Sequence, residues 1–421
     1  MARLSIFSTS HDRFFRIAVI GIILIIYALW ASNDSWPNLS TLGYKPNPTT
    51  NKEPAHITFY DDEETAYTID KTMVNWDAKR SGWLKHHMVF GTVHEDRVLV
   101  ITGSQPALCR HPLGDRLLLR LFKNKVDYCR LNGYGIFYNN AHLEPKMGFY
   151  WAKIPIVRAA MLAHPEVEWI FWVDSDAIFT DMEFKVPLDK YKDHNFVVYG
   201  RPDFYDDNEK SWLALSAGIF LIRNCQWSLD FMDSWASMGP LSPNYLKWGS
   251  IMKSTFKDKV FSDSDDQSTL VYMLLKERKW RNKVYVENEY SINGYWLNIV
   301  DKFENITKKY LDIEKRVGAL RRRHAEVVSE SYASLREEYV VEGDEKRGGW
   351  RRPFITHFAG CQPCNGDHNP SFENASCLVG LERALNFADN QVLRNYGYMR
   401  PDIGDGSRIE PVPFDFPGNG M

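Results

Sequence analysis

Two aspartates one residue apart are the strongest candidates for chemistry in this 421-residue sequence. Asp174 and Asp176 directly follow the apolar run Trp169–Val173, which predicts a buried β-strand. In extended backbone, side chains two residues apart project to the same side. Two carboxylates at the end of a strand suit Mg²⁺ or Mn²⁺, which keep coordination positions open for phosphate oxygens. Asp181, a few residues later, is predicted to be a cap or turn residue.

The sequence around this pair predicts an open α/β sheet. Further apolar strands are predicted at Val98–Thr102 and Gly135–Tyr138, and helices at Leu117–Asn132 and Ile154–Ala163. Strands that alternate with helices at this spacing form mostly parallel sheets. Ligands of such sheets bind beyond the carboxyl ends of the strands, where the aspartate pair lies.

The composition is that of a globular protein. Hydrophobic residues make up 44% of the chain and charged residues 25%, which excludes a disordered chain. The formal net charge of −3 gives no reason to expect a nucleic-acid partner. The 14 Trp and 21 Tyr suit the flat faces of sugars, although ordinary cores also use aromatic rings.

The N-terminus predicts a signal anchor. Residues 17–33 would span about 25 Å as a helix, enough for a thin bilayer. Arginines precede this run and Asp34 follows it, so the rest of the chain is expected in the lumen, a type II topology. A cleaved signal peptide is the alternative, but no small-x-small cleavage pattern follows the run. The predicted parts are a cytosolic tail (1–16), a transmembrane anchor (17–33), a luminal stem (34–90), a catalytic domain (91–400) and a tail (401–421).

Luminal features agree with this topology. Four glycosylation sequons begin at Asn33, Asn38, Asn305 and Asn374, and all but Asn33, which would lie against the bilayer, are predicted acceptors. Six cysteines are an even number for an oxidising lumen, and the sequence leaves fifteen possible pairings open. The Cys361–Cys364 motif is predicted to be structural, because no second motif completes a zinc site.

Three segments lie outside the predicted sheet. Asp61–Asp77, the distal part of the stem, is acidic enough to pack on the body. Lys308–Glu338 is densely charged, with apolar residues at helical spacing. It predicts a solvated helix packed on the body or, alternatively, a dimerising coil. Pro401–Met421 is rich in Gly and Pro and is predicted to be an extended tail.

Five ordered blocks resemble a known family. The blocks are Tyr150–Pro155, Phe171–Thr180, Phe220–Ser228, Asp265–Gln267 and His357–Cys361. Together they resemble plant members of glycosyltransferase family 34, from about residue 97 to residue 400. Two further stretches resemble the galactomannan galactosyltransferases of this family: Cys361–Asn369 and Leu385–Gln391. The related xyloglucan xylosyltransferases are more distant, since a lysine is expected there in place of Gln362.

The resemblance implies a GT-A fold, a UDP-sugar donor and a bound Mn²⁺. It implies that Asp174, Asp176 and His357 hold the ion between the two phosphates of UDP. From its apolar neighbours alone, His357 would be a packed histidine. The resemblance also implies donor-binding residues, namely Gly103, Ser104, Lys153, Ser175, Gly360 and Gln362. Gly103 and Ser104 would form the nucleoside-binding turn, and Lys153 would approach the diphosphate.

Asp265, Asp266 and Gln267 are implied at the reacting face. Family 34 enzymes retain anomeric configuration, so the acceptor hydroxyl attacks from the side that UDP leaves. Gln267 would stabilise the oxocarbenium-like sugar, and one aspartate would orient hydroxyl groups. Exposed loop acids are the alternative role for the aspartates, and a covalent intermediate on a carboxylate remains open.

The sequence therefore predicts a Golgi transferase that moves galactose from UDP-galactose onto β-mannan in α-1,6 linkage. A xyloglucan 6-xylosyltransferase using UDP-xylose is the nearest alternative. A non-catalytic partner of other Golgi transferases, in a homo- or hetero-oligomer, and a metal-dependent phosphoester hydrolase are the others. Ser216, where the family usually has Asn, and the uncharged Gln362 are departures that bear on donor preference.

Overall fold

The computed structural model describes residues 67–87, 97–206, 210–320, 326–347 and 351–412. The predicted anchor, most of the predicted stem and the sequons at Asn33 and Asn38 lie outside these residues. Within the described part of the chain, no helix combines the length and apolar character needed to cross a bilayer.

The described residues form ten helices and eleven strands, apart from short 3₁₀ turns. Helices α1 to α10 are Trp76–His87, Gly114–Asn132, Lys153–Ala163, Gln226–Ala236, Tyr245–Thr255, Asp266–Lys276, Arg278–Arg281, Phe303–Arg316, Glu326–Arg347 and Asn374–Asn395. Strands β1 to β11 are Val98–Gly103, Gly135–Asn139, Trp169–Val173, Ala177–Phe179, Phe196–Gly200, Leu215–Arg223, Val284–Glu287, Gly294–Tyr295, Ile355–His357, Tyr398–Met399 and Glu410–Pro411. The three strands and two helices predicted from the sequence are confirmed.

A six-stranded sheet in the order β2-β1-β3-β6-β5-β7 forms the centre of the fold. Five of its strands run in one direction, and β6 runs against both of its neighbours. The predicted α/β class with a mostly parallel sheet is therefore confirmed. β1 and β3 are adjacent and parallel, so their carboxyl ends open on the same edge.

Both faces of this sheet are buried. All five residues of β3 are buried, and they alternate between two cores. Phe171 and Val173 pack into one core with helix α10, whereas Ile170 and Trp172 pack into the other with α3 and α4. Continuous apolar strands are typical of a sheet covered on both sides. Strand β3 ends where this apolar run gives way to Asp174.

A second sheet, in the order β4-β9-β8, continues from the first. Strand β4 begins directly after Asp176 and pairs with the late strand β9, so that Ala177 lies opposite His357. The other edge of β4 is closed by side-chain amides. The Asn124 amide of α2 exchanges two hydrogen bonds of 2.8 and 2.9 Å with the backbone of Phe179, and Gln391 bonds the residues that follow.

The compact body extends on its N-terminal side into the segment predicted as stem. Helix α1 docks through Trp76, which is completely buried and donates from Nε1 to Asn224 Oδ1 at 2.8 Å. Arg80 also donates to the carbonyl of Pro165 at 2.7 Å. Residues 67–87 therefore pack on the body, beyond the Asp61–Asp77 stretch expected to do so.

The charged region forms two helices in place of the one predicted, and part of the predicted tail is docked. Lys308–Glu338 covers parts of two helices, α8 and α9, separated by the turn Gly318–Leu320. They pack on the body through residues such as the buried Ile313 of α8 and the partly buried Leu335 of α9, so the predicted packing on the body is confirmed. The predicted tail is docked as far as residue 412, because Ile403 is buried and β11 pairs with β10.

Two disulfides join four of the six cysteines, all of which lie in the described residues. Cys109 pairs with Cys364, and Cys361 pairs with Cys377 at the start of α10. Cys129 and Cys225 are free. The Cys361–Cys364 motif is thus structural, as predicted, but its two cysteines bond to different parts of the chain. The first bond ties the loop after β1 to the loop after β9.

We predict that Asn124→Leu lowers the free energy of unfolding by about 2–4 kcal/mol, because it leaves two buried backbone groups of Phe179 without partners. Urea unfolding of the purified protein measures this change. Leu119→Ala, at an exposed position of the same helix, is the matched control and should change stability by less than about 0.5 kcal/mol. Equal stability of Asn124→Leu and the wild type would contradict the role given to this amide.

Candidate functional site

The turn between β3 and β4 holds both aspartates. The Asp174 amide donates to the carbonyl of Gly218 on β6 at 3.0 Å, and the Ala177 amide donates to the Asp174 carbonyl at 3.1 Å. The indole of Trp172 donates to Asp174 Oδ1 at 2.6 Å. Both aspartate side chains remain partly exposed, so the turn is fixed while its carboxylates stay accessible.

His357 lies against this turn although it is 181 positions further along the chain than Asp176. Its Nε2 is 3.3 Å from Asp176 Oδ1 and 3.9 Å from Asp174 Oδ2. One ligand atom from each of the three residues lies within 4.8 Å of the others. The β4–β9 pairing produces this arrangement, because it sets His357 beside the first residue after Asp176.

The donor set fits a divalent cation. His357 Nδ1 is 2.7 Å from Asn293 Oδ1, and a proton donated from Nδ1 to this oxygen would leave Nε2 available to a cation. Burial alone would lower the pKa of His357, but Asp176 raises it above its ordinary value. Two hard carboxylates and one imidazole are suitable ligands for Mn²⁺. The three residues implied as ligands are thus brought together, and Mn²⁺ itself stays a prediction.

Gly218 provides the space for these ligands. A Cβ atom at this position would lie 2.4 Å from His357 Cε1 and 2.8 Å from Asp174 Oδ2. Real Cβ atoms do not approach other atoms this closely. Any larger residue at position 218 would therefore displace the side chain of His357, of Asp174 or of both.

A buried lysine stabilises the turn between β3 and β4. Lys125 of α2 is 1% exposed, and its Nζ donates to the carbonyls of Ser175 at 3.1 Å and Ala177 at 2.7 Å. Burial lowers the pKa of Lys125 to about 8, although Asp176 and Asp174 oppose this shift. Ser175, implied as a donor-binding residue, is thus fixed through its carbonyl.

A second buried lysine joins the turn to the predicted catalytic segment. Lys153 Nζ is 2.7 Å from Asp266 Oδ2 and 3.3 Å from Asp174 Oδ1. It also donates to the carbonyl of Ala217 at 2.9 Å. Burial lowers the pKa of Lys153, but Asp174 and Asp266 raise it further, so the net shift is upward and the ammonium stays charged.

The two aspartates of the predicted catalytic segment differ in environment. Asp265 caps helix α6, accepting from the Ser268 amide at 2.8 Å, and its second oxygen accepts from Lys259. Both of its oxygens are therefore used within the protein. Burial raises the pKa of Asp266 to about 6 even though Lys153 opposes the shift. Of the two aspartates expected at the reacting face, Asp266 is therefore the one left for a catalytic role. Lys153 contacts both Asp266 and the metal-ligand candidate Asp174.

Gln267 lies next to β6. Its Oε1 accepts from the Ala217 amide at 3.3 Å, and its Nε2 donates to the Trp212 carbonyl at 3.3 Å. Ser216, the departure noted in the sequence, is the neighbouring half-buried residue of β6. Gln267 thus adjoins the strand that also carries Gly218.

The residues implied as the nucleoside-binding turn lie at the carboxyl end of β1, and the packing of the sheet also requires the glycine. Gly103 is the last residue of β1 and Ser104 follows it, and the Ser104 hydroxyl accepts from the Tyr138 hydroxyl at 2.7 Å. A Cβ at Gly103 would lie 2.2 Å from the Asn139 carbonyl oxygen. The glycine is therefore already required by the packing of β1 on β2.

Gly360 and Gln362 lie on the exposed loop after β9. Gly360 has a φ of +88°, a conformation that favours glycine. The Gln362 side chain accepts from Asn365 at 3.3 Å. The disulfides described above anchor this loop on both sides. Among the described residues, Gln362 forms hydrogen bonds with Asn365 and Asp367, and none with Asp174 or Asp176.

The two described sequons are on the surface. Asn305 is an exposed residue of α8, and Asn374 is the half-buried first residue of α10. Both stay predicted acceptors.

Sequence reasoning missed Lys125, Asn293 and the role of Gly218. Lys125 had a signal, because it lies four residues from both Leu121 and Cys129 and thus on the apolar face of its helix. A glycine inside an apolar strand marks a close approach, which signals Gly218. Asn293 precedes a two-residue strand and carries no such pattern.

Comparisons with known proteins identify relatives over most of the chain. Residues 94–368 match the model of glycosyltransferase family 34, the galactosyl transferase GMA12/MNN10 family. Galactomannan galactosyltransferase 1 of Cyamopsis tetragonoloba is 56% identical over 90% of this chain and 87% of its own. Probable xyloglucan 6-xylosyltransferase 3 of Arabidopsis thaliana is 44% identical over 84% of this chain and 69% of its own. A crystal structure of the galactosyltransferase LgtC aligns with a TM-score of 0.31 and 10% identity, over 69% of this chain and 95% of that one.

These matches define the chain as a glycosyltransferase, specifically a hexosyltransferase. It belongs to the galactosyl transferase GMA12/MNN10 family. The resemblance to family 34 that the five sequence blocks indicated is confirmed.

We predict that Gly218→Ala weakens Mn²⁺ binding at least tenfold, because the added methyl group displaces His357 or Asp174. Loss of the free-Mn²⁺ electron paramagnetic resonance signal on titration measures the affinity. Gly82→Ala is the matched control, since a Cβ at Gly82 meets nothing within 4 Å. Wild-type affinity in Gly218→Ala would contradict the assigned role of this glycine.

Proposed function

We propose that this chain is a retaining, Mn²⁺-dependent galactosyltransferase that moves galactose from UDP-galactose onto a β-mannan backbone in α-1,6 linkage. The observation that carries the metal-dependent part is the convergence of Asp174, Asp176 and His357 within 4.8 Å. The 56% identity to a galactomannan galactosyltransferase supports the sugar and the acceptor. The Golgi lumen is the proposed compartment, with residues 17–33 as the membrane anchor.

Divalent cations in such sites act as Lewis acids that offset charge on a departing diphosphate. Asp174, Asp176 and His357 Nε2 are the groups of this chain that would hold the ion. Lys153 keeps its positive charge beside Asp174 and would add to the neutralisation of the phosphates. With Gln362 uncharged, Lys153 is the cation of the predicted donor site that remains for this task.

The reacting sugar is proposed to lie between the turn and helix α6. Gln267 has a carbonyl oxygen and an amide next to β6, which suits it to orient or stabilise the transferred sugar. Asp266 carries a raised pKa and is held by Lys153 at 2.7 Å, which suits it to orient a hydroxyl group of donor or acceptor. Both groups are preorganised by bonds to the protein, so they need little rearrangement during the reaction.

The second candidate is a xylosyltransferase that uses UDP-xylose and a β-glucan. The 44% identity to a probable xyloglucan 6-xylosyltransferase supports this candidate. Galactose differs from xylose by a hydroxymethyl group at C5, so the two donors present different shapes to one pocket. Ser216, shorter than the usual Asn, leaves additional room on β6.

We predict that the purified protein releases UDP from UDP-galactose with Mn²⁺ and does so faster with mannan oligosaccharides present. EDTA should abolish the reaction, and Asp176→Asn should lower kcat/KM at least about 100-fold, as expected for loss of a metal ligand. Asp189→Asn, at an exposed aspartate, is the matched control and should keep wild-type kinetics. A coupled assay for free UDP measures all of these rates.

The outcomes separate the alternatives. Faster turnover of UDP-xylose with cello-oligosaccharides would support the xylosyltransferase instead. Undiminished activity in EDTA would exclude the metal site. No transfer with any donor, while the protein still binds Mn²⁺, would favour a non-catalytic partner in a transferase complex.

A further inference from the structure

Phe149 combines two features that folding alone does not reward. Its side chain is 89% exposed, and its backbone has a φ of +52°. A bulky residue in this left-handed region is strained, whereas glycine is not. Among the residues that the structure describes, Asn75 is the other non-glycine residue with a positive φ, and asparagine tolerates it far better. An exposed and strained phenylalanine therefore points to a role other than stability.

Buried neighbours hold Phe149 in place. Met147 and Trp151, two residues away on either side, are each 1% exposed. Trp151 donates from Nε1 to the carbonyl of Ser264 at 2.9 Å, immediately before Asp265 in the chain. The backbone of Phe149 is thus fixed on both sides, while its ring lies in solvent. A ring held in this way loses little conformational freedom when a ligand packs on it.

Phe149 lies at the edge of the proposed reacting face. It begins a short 3₁₀ turn, Phe149–Ala152, that continues directly into α3. The first residue of α3 is Lys153, whose Nζ is 2.7 Å from Asp266 Oδ2. Four residues of 3₁₀ and α-helix rise only about 6–8 Å. The next residue, Tyr150, is also close to this face, because burial, a neighbouring tyrosine and the nearby aspartates raise its pKa.

An exposed phenyl ring matches the C–H face of a sugar. One face of a hexopyranose carries C–H groups, which pack against the negative face of an aromatic ring and bury apolar surface. A diphosphate fits poorly, because phenylalanine offers it no hydrogen-bond donor and no positive charge. A second copy of the chain also fits poorly. A stable interface covers about 800 Å² per partner, whereas one aromatic side chain supplies about 150–250 Å².

We infer that Phe149 is a platform for one hexose of the acceptor backbone, outside the unit that receives the transferred sugar. The inference rests on the proposed function, which brings an acceptor glycan to this face. Lys153, the implied contact of the donor diphosphate, is buried, whereas Phe149 lies at the solvent-facing end of the same segment. The ring therefore contacts the acceptor and not the donor.

Initial rates of the purified full-length protein test this inference. The acceptor is mannohexaose with UDP-galactose, or cellohexaose with UDP-xylose if that is the pair turned over. Phe149→Ala should raise KM for the hexaose about five- to tenfold and leave kcat and acceptor-free UDP release unchanged, because only acceptor binding is lost. Phe149→Tyr keeps a ring and should retain the wild-type KM. Tyr398→Ala, which removes a ring that is 48% exposed on β10, is the matched control and should do the same.

A binding measurement keeps this test separate from the proposed function. If the wild type turns over neither pair, the proposed function fails, and calorimetric titration with the same two hexaoses tests Phe149 without turnover. The wild type should bind one hexaose, and Phe149→Ala should bind it about five- to tenfold more weakly. Binding of neither hexaose, or equal binding by both proteins, would overturn the inference.

Phe149→Gly separates a binding role from a folding role. This change removes the ring and the backbone strain together, so the midpoint of urea unfolding should rise above that of the wild type and of Phe149→Ala. KM for the hexaose should rise as much as in Phe149→Ala. A ring that served only the fold would give a lower midpoint and an unchanged KM. An unchanged KM in the two folded variants would overturn the inference.

Discussion

The pairing of β4 with β9 is the constraint on which the rest of the site depends. It sets Ala177 opposite His357 and so brings an imidazole from the last quarter of the chain to two carboxylates near its middle. The pairing has only three residues on each strand, and short strands are weak alone. The amides of Asn124 and Gln391, which close the free edge of β4, and the bonds of Lys125 to the turn compensate for this.

The two buried lysines balance the charge of the site in different ways. Lys125 bonds only to carbonyl groups and shapes the backbone of the turn, whereas Lys153 faces the carboxylates of Asp174 and Asp266. Several carboxylates in one cleft repel each other unless cations lie among them. Lys153 supplies one positive charge permanently, and a divalent ion would supply the remainder. This explains why the pKa of Lys153 is raised although the side chain is buried.

The sequence predicts local features well and long-range ones poorly. The strand Trp169–Val173 and its acidic turn follow from an unbroken apolar run, because a strand covered on both faces needs one. His357 lies among apolar residues, and only family resemblance marks it as a ligand, since strand pairing across 181 positions leaves no local pattern. Asp265 shows the converse case. Its role as a helix cap follows from an acidic residue before an apolar helix, whereas the family resemblance implied a place at the reacting face.

The proposed mechanism requires that Asp174, Asp176 and His357 share one divalent ion. Crystals grown with Mn²⁺ and UDP, measured on both sides of the manganese absorption edge, test it most directly. We expect a single strong anomalous peak per chain, within coordination distance of both carboxylates and of His357 Nε2. A peak that contacts only one of these residues, or one located elsewhere in the cleft, would contradict it.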